Sequence, residues 1–150
     1  MNYFDGYNKT QCRAWIANKL KEKNIVVDEN TTIILRAGAI GEYCGIEETM
    51  NVLKELPDNV IFIVIGRPLK EYVLKIQLQI DKYELHSRVF IFLQPSDDKW
   101  KKYLLGSDIG HLIHTVPQNN SKASKAYSLN SSLSNNRLYQ YMAAGLPILS

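Results

Sequence analysis

Short, nearly continuous apolar runs alternate with helical patterns along the chain. In the helical segments, apolar residues recur three and four positions apart. The apolar runs predict strands at 31–35, 59–66, 88–93 and 108–113, with a fifth strand after Gly145. The remaining patterns predict helices at 10–23, 46–56, 69–83 and 97–105, and a closing helix from about Asn136. Strands that are apolar throughout are typical of parallel sheets covered on both faces, so the pattern predicts a doubly wound α/β sheet.

The same pattern suggests how the chain is divided. Residues 1–31 form a lead-in segment and helix, and residues 32–150 form one sheet domain. A stretch rich in Ser and Asn over 116–134 predicts a long polar loop before the closing helix. Because the sequence stops at Ser150, within a strand pattern, we expect it to be a fragment of a longer protein.

The closing helix is the strongest candidate for ligand binding. Asn135 or Asn136 can cap it through a side-chain oxygen, and Gly145 followed by Pro147 predicts its end. A helix that begins behind a polar loop presents free backbone N–H groups, and such groups attract phosphate. In open parallel sheets, ligands lie at the carboxyl ends of the strands, where the strand order reverses. The start of this helix is therefore predicted to lie near an anionic ligand.

Charge and composition narrow the classes of function. The chain has 18 Lys and Arg against 15 Asp and Glu, and the net charge of +3 is too small to indicate nucleic acid as a partner. That charge is compatible with a small anionic ligand or a peripheral membrane contact. Cys12 and Cys44 lie far apart and no metal-binding spacing occurs, so we expect a reduced cytoplasmic setting and no metal. There is no signal-peptide pattern and no apolar run near the ~20 residues of a membrane helix.

Three loops that follow predicted strands are further candidates. Residues 36–45 hold three glycines, of which Gly38 is the first, and glycine allows a ligand close to the backbone or simply a tight turn. Arg67, after the second strand, can bind a diphosphate or be solvated. His114 is placed to touch a ligand, whereas a metal pair with His111 is disfavoured because residues three apart on a strand face opposite sides.

A family resemblance is carried by residues 136–150, which read Asn-Arg-Leu-Tyr-Gln-Tyr-Met-Ala-Ala-Gly-Leu-Pro-Ile-Leu-Ser. This run resembles the donor-site segment of GT-B glycosyltransferases with a group 1 C-terminal domain, typically Asn-Lys-aliphatic-aromatic-Glu-Tyr-Met-Ala-Ala-Gly-Leu-Pro-Val. Two further strand segments of the family are similar to Arg-Val-Phe-Ile-Phe-Leu at 88–93 and Asp-Ile-Gly at 108–110. The resemblance covers about residues 32–150 and implies the Rossmann-like half of a GT-B enzyme.

The resemblance implies a site for a nucleotide-diphosphate sugar, which is the donor substrate, with no metal or other cofactor. The implied contacts are phosphate at Asn135, Asn136 and Arg137, ribose at Gln140, base at Leu93, Gln94 and Pro95, close approach at Gly38, and a further donor contact at Arg67. His114 stays a candidate from its position at the end of a strand. The family's second glutamate, which accepts hydrogen bonds from the ribose, is replaced by Gln140, whose amide oxygen accepts without charge. Its first glutamate falls on Ser132, and its loop cation falls on Cys44. Arg36, which comes earlier, is a candidate to replace that cation.

The function implied by the resemblance is transfer of a sugar from a nucleotide diphosphate to a glycan or lipid-linked acceptor, as in polysaccharide biosynthesis. No general base is visible, and the family's acceptor groups come largely from an N-terminal domain, so we expect this chain to be inactive alone. It would work in the cytoplasm or on the cytoplasmic face of a membrane. The alternative is a degenerate, non-catalytic nucleotide-binding or interaction module, which Cys44 and Gln140 favour. A nucleotide-sugar epimerase would need acid and base residues that the sequence does not reveal.

Overall fold

The fold is a parallel sheet with helices on both faces. A computed structural model describes residues 2–69, 71–115 and 136–150. Within these residues the sheet has five parallel strands in the order β3-β2-β1-β4-β5. The elements are α1 Lys9–Lys21, β1 Thr32–Ala37, α2 Ile46–Leu53, β2 Val60–Gly66, α3 Tyr72–Lys82, β3 Val89–Leu93, α4 Asp97–Gly106, β4 Ile109–His111, α5 Asn136–Ala143 and β5 Ile148–Leu149. The predicted doubly wound α/β sheet is confirmed.

Two apolar cores lie on opposite faces of the sheet. Ile33 and Leu35 of β1 belong to the core beneath α1 and α4, where they join Leu20. Ile34 belongs to the other core, together with Met50 of α2. Because successive side chains of a strand alternate between faces, a central strand buried on both sides needs an unbroken apolar run, as the sequence has.

β1 is longer than the apolar run that predicted it. The strand continues to Ala37, so Arg36 lies inside the sheet and not in the following loop, where the sequence pattern placed it. The register pairs Arg36 with Val64 and Ala37 with Ile65, and these backbone hydrogen bonds to β2 extend the strand past Leu35. Hydrogen bonding to a neighbouring strand here outweighs the loop preference suggested by a charged residue.

Helix ends also differ from the predicted ones. α1 begins at Lys9 because Asn8 caps it, with the Asn8 side-chain oxygen accepting from the Gln11 N–H at 3.2 Å. α2 ends at Leu53 and not at 56, because the chain tightens there into a turn, with the Leu56 N–H donating to the Leu53 carbonyl. None of the helices in the described parts of the chain is long and apolar enough to cross a membrane.

Asp108 joins α1 to the sheet at the amino end of β4. Its Oδ2 accepts from Arg13 Nη1 at 2.7 Å and from the Ile33 N–H at 2.8 Å. Ligands of parallel sheets bind at the opposite, carboxyl edge. The Asp-Ile-Gly segment at 108–110 therefore supports the sheet and does not contribute its carboxylate to a ligand site.

Candidate functional site

The strand order reverses between β1 and β4. From β1 the chain adds β2 and β3 on one side of the sheet, then returns to add β4 and β5 on the other. Pairing between β1 and β4 is short and includes only Ile34 with Ile109 and Leu35 with Gly110. The crevice outside the carboxyl ends of these two strands is where ligands bind in open α/β sheets.

Tyr141 of α5 closes the floor of this crevice. Its buried hydroxyl accepts from the Ala37 N–H at 2.9 Å, and the carbonyls of Leu35 and His111 accept from it at 3.1 and 3.3 Å. A Cβ on Gly110 would lie 2.6 Å from Tyr141 Cγ, so only glycine leaves room for the ring. The hydroxyl thus fixes α5 to both strands. This attachment sets the position of the first turn of α5 relative to the crevice.

Arg137, in the first turn of α5, lies across Gly38. A Cβ built on Gly38 would be 2.8 Å from Arg137 Cδ and 3.0 Å from Arg137 Nη1. Gly38 has a φ of +137°, which L side chains rarely adopt. The sequence predicted that Gly38 gives room to a ligand; in the structure it gives room to the arginine beside the crevice.

Arg36 brings a second guanidinium to the same place. The side chain is fully buried, and its Nη1 donates to the Ile113 carbonyl at 3.3 Å. Its Nε and Nη2 have no oxygen acceptor among the described residues, and no ion pair there includes it. Burial, and then the nearby charge of Arg137, lower the pKa of Arg36, whereas the Cys44 thiol and Tyr141 act against them. The crevice therefore concentrates positive charge.

His114, in the loop after β4, is the third basic group. Both ring nitrogens are buried, and the ring lies close to the Tyr43 backbone. Burial lowers the pKa of His114 to about 4, the charges of Arg36 and Arg137 act in the same direction, and the Tyr43 backbone acts against them. His114 is therefore neutral at pH 7 and offers both a donor and an acceptor at the crevice.

His111 is held by α2 at the base of the crevice. Its Nε2 lies 2.7 Å from Thr49 Oγ1, which in turn donates to the Gly45 carbonyl at 2.7 Å. Because the Thr49 proton is used there, His111 Nε2 carries the proton of their shared hydrogen bond. Burial, and then Arg36, lower the pKa of His111 to about 3, so it is uncharged.

Comparison with known proteins shows the fold. No protein-family model and no curated protein matches the sequence. The structure matches that of HepE from Anabaena in complex with UDP-glucose at a TM-score of 0.59 and 15% identity, over 95% of this chain and 36% of HepE. HepE in complex with UDP and glucose matches at a TM-score of 0.58 and 17% identity, over 90% of this chain and 32% of HepE.

The third solved structure is the C-terminal domain of LpcC, a glycosyl transferase group 1 family protein from Francisella tularensis. It matches at a TM-score of 0.55 and 15% identity, over 88% of this chain and 62% of that domain. The chain has the fold of a GT-B glycosyltransferase C-terminal domain. It spans about a third of the length of HepE.

The GT-B fold brings some of the predicted site residues together. Gly38, Arg137 and His114 meet at the crevice between β1 and β4, with Arg36 beneath them. Asn136 is the exposed first residue of α5, whereas Asn135 lies outside the described residues, as do Ser132 and the loop 116–134. Contact of these residues with a ligand stays a prediction.

Other predicted site residues lie farther along the same edge of the GT-B sheet. Leu93 is the last residue of β3, two strands from β1, and Gln94 and Pro95 follow it. Gln94 has a φ of +45°, and its N–H donates to the Gly66 carbonyl at 2.8 Å. Arg67 follows β2 and is exposed. By strand spacing, residues 93–95 are roughly 10 Å from β1, so one extended ligand could reach both.

Gln140, the predicted ribose contact, has a partner within the GT-B fold. Its Oε1 accepts from Trp100 Nε1 of α4 at 3.3 Å. An amide oxygen has two lone pairs, so one stays available for a hydroxyl donor. The Trp100 contact orients the amide and gives Gln140 a structural role as well.

Sequence reasoning undervalued Arg36 and missed the roles of Tyr141, His111 and Thr49. A usable signal existed for Arg36, because it is the one charge directly continuing a run of buried β-branched and aliphatic residues. Tyr141 lies within the predicted closing helix, and no spacing in the sequence shows that its hydroxyl reaches β1.

Proposed function

We propose that the chain is the donor-binding domain of a glycosyltransferase and binds a nucleotide-diphosphate sugar. The observation that carries this proposal is the meeting of Arg137, in the first turn of α5, with Gly38 and His114 at the strand-order reversal. Arg36 is buried beneath them. Burying a positive charge without an opposite charge is costly. A diphosphate supplies both the negative charge and the oxygen acceptors. The fold shared with HepE, which was crystallised with UDP and with UDP-glucose, adds support.

In the proposed reaction, these groups stabilise the leaving nucleotide diphosphate. Negative charge grows on the diphosphate as the bond to the sugar breaks, and fixed cations and helix N–H groups lower the energy of that state. Arg137 and the first turn of α5 supply them, so no metal ion is needed. Gln140 accepts from the ribose and residues 93–95 border the base. The acceptor, a glycan or lipid-linked chain, binds an N-terminal domain, in the cytoplasm or at the cytoplasmic face of a membrane.

A second candidate is a non-catalytic module with the same fold. Two observations favour it: Gln140 already bonds Trp100, and Cys44, where the resemblance implies a cation, is 1% exposed and belongs to the apolar core. Such a module would bind nucleotide weakly or not at all.

Titration with nucleotides distinguishes the two. We expect UDP or GDP at about 100 times its dissociation constant to raise the free energy of unfolding by roughly 2.7 kcal/mol, unchanged by EDTA. Arg137→Ala should weaken binding roughly tenfold or more, because it removes a charge-assisted contact. Thermal melts and isothermal titration calorimetry measure both effects.

The matched control is Lys21→Ala, which removes one positive charge from the exposed last turn of α1. It should leave the dissociation constant unchanged. A sample that melts cooperatively and shows no shift with any nucleotide would overturn the proposal and favour the non-catalytic module.

A further inference from the structure

We infer that Arg36 is an anion-binding residue that the sheet keeps buried at a cost to the stability of the unliganded domain. The inference deepens the proposed function and rests on it. It assigns to a strand residue the positive charge that the resemblance implies at Cys44, in the loop after β1.

The first step is the position of Arg36. It is the fifth residue of the six-residue β1, and Ile33, Leu35 and Ala37 all face the core beneath α1 and α4. By alternation Arg36 therefore shares the other face with Ile34, in the core beneath α2 and α3. An aliphatic side chain at this position would continue the core. The chain carries a guanidinium there instead, at the strand end that borders the crevice.

The second step is a comparison with Arg88, the other buried arginine in the described residues. Arg88 Nε donates to the Val60 carbonyl at 3.1 Å, Nη2 donates to the Pro57 carbonyl at 2.7 Å, and Nη1 lies 3.7 Å from Asp58 Oδ1. Two of its nitrogens thus donate hydrogen bonds, and the third belongs to an ion pair. Arg88 has the contacts expected of an arginine that stabilises the fold.

Arg36 differs from Arg88 on each of these points. One nitrogen donates, to the Ile113 carbonyl at 3.3 Å, and the other two have no oxygen acceptor among the described residues. The Cys44 thiol beside the guanidinium is only a weak acceptor. In the described part of the chain, the titratable groups that act on it are those of Arg137, His111, His114, Cys44 and Tyr141. None of them is a carboxylate, and only the Cys44 thiol and the Tyr141 hydroxyl favour the charged guanidinium. Unmade hydrogen bonds and like charge both destabilise a buried cation.

The third step concerns the ligand that would offset the destabilisation caused by the buried Arg36. An anion in the crevice attracts Arg36 and Arg137 together, and the attraction is strong because the surroundings are of low polarity. Direct contact is not required, since a buried charge acts over several ångströms when water does not screen it. A ligand with two or more negative charges, such as a diphosphate, gains most. Binding should therefore weaken from diphosphate to monophosphate to nucleoside.

The test measures stability and affinity in the same variants. Arg36→Met keeps the length of the side chain and removes its charge. We expect it to raise the urea midpoint of the unliganded chain and to weaken binding of both UDP and inorganic pyrophosphate by about tenfold or more. Arg88→Met, the control, should lower the urea midpoint and leave both affinities unchanged, if enough of it is folded to titrate.

The outcomes separate the inference from the proposed function. If Arg36→Met binds UDP and pyrophosphate as the wild type does, or is less stable than the wild type without ligand, the inference is wrong while the function stands. If the folded wild type binds pyrophosphate and no nucleotide, and Arg36→Met loses the pyrophosphate, the anion-binding role stands and the donor function is wrong. If the wild type binds neither, both are wrong.

Discussion

Gly66→Ala should destabilise the folded chain strongly. A Cβ at this position would lie 1.7 Å from the Gly38 carbonyl oxygen, well inside any non-bonded contact. The atom that blocks it is backbone, and the Gly38 N–H is itself held by the Ile65 carbonyl at 2.9 Å, so neither strand can move aside cheaply. Gly66 also has a φ of +143°. We expect a loss of roughly 3 kcal/mol or more, which circular-dichroism melts would measure.

Gly6→Ala is the control for the backbone conformation alone. Gly6 also has a positive φ, +83°, but nothing lies within 4 Å of a Cβ there. It should cost only about 1–2 kcal/mol, the strain of placing a side chain in that region. Equal melting of the two variants would mean that the ends of β1 and β2 do not approach as closely as the structure shows.

Acid should destabilise the domain strongly between pH 6.5 and pH 4. His111 has a pKa near 6.5 in the unfolded chain and about 3 in the folded one, because it is buried and lies near Arg36. As the pH falls through 6.5, His111 binds a proton in the unfolded state but not in the folded state. The free energy of unfolding therefore declines until the pH reaches the pKa of His111 in the folded state. The limiting loss, reached below the folded value, is roughly 5 kcal/mol. His114, with a pKa of about 4, acts in the same direction.

Urea denaturation at a series of pH values measures this effect. His111→Leu should show a shallower decline in the free energy of unfolding between pH 6.5 and 4 than the wild type. His86→Leu is the control, because His86 is 63% exposed and pairs only with the half-exposed Asp81. Parallel declines in the wild type and His111→Leu would contradict the burial of an uncharged His111.

The fold was predictable because the central strands are buried on both faces. Such burial demands the unbroken apolar runs at 31–35 and 59–66, and their alternation with helical stripes indicates the doubly wound sheet. Element ends were less predictable, since tertiary hydrogen bonds set them. β1 extends through Arg36 because β2 offers backbone partners there, which no local property of an arginine reveals.

The candidate site was predictable in part. The family resemblance drew attention to Gly38 and Arg137, the strand pattern drew attention to His114, and the fold brings these three together. It gave no indication that Arg137 occupies the space above Gly38, because the two residues come from opposite ends of the chain. Nor could it show that Trp100 bonds Gln140, which depends on how α4 lies against α5. Side-chain partners across a sheet are set by packing, and one sequence records packing only indirectly.

The attachment of Tyr141 to β1 makes one backbone amide a probe of the helix. The Ala37 N–H donates to a side-chain hydroxyl of α5, whereas the Gly38 N–H donates to a carbonyl of β2. Hydrogen–deuterium exchange at Ala37 should therefore report the transient undocking of α5, while exchange at Gly38 follows opening of the sheet. A ligand that binds the first turn of α5 should slow exchange at Ala37 more than at Gly38, so two adjacent amides would separate local from global protection.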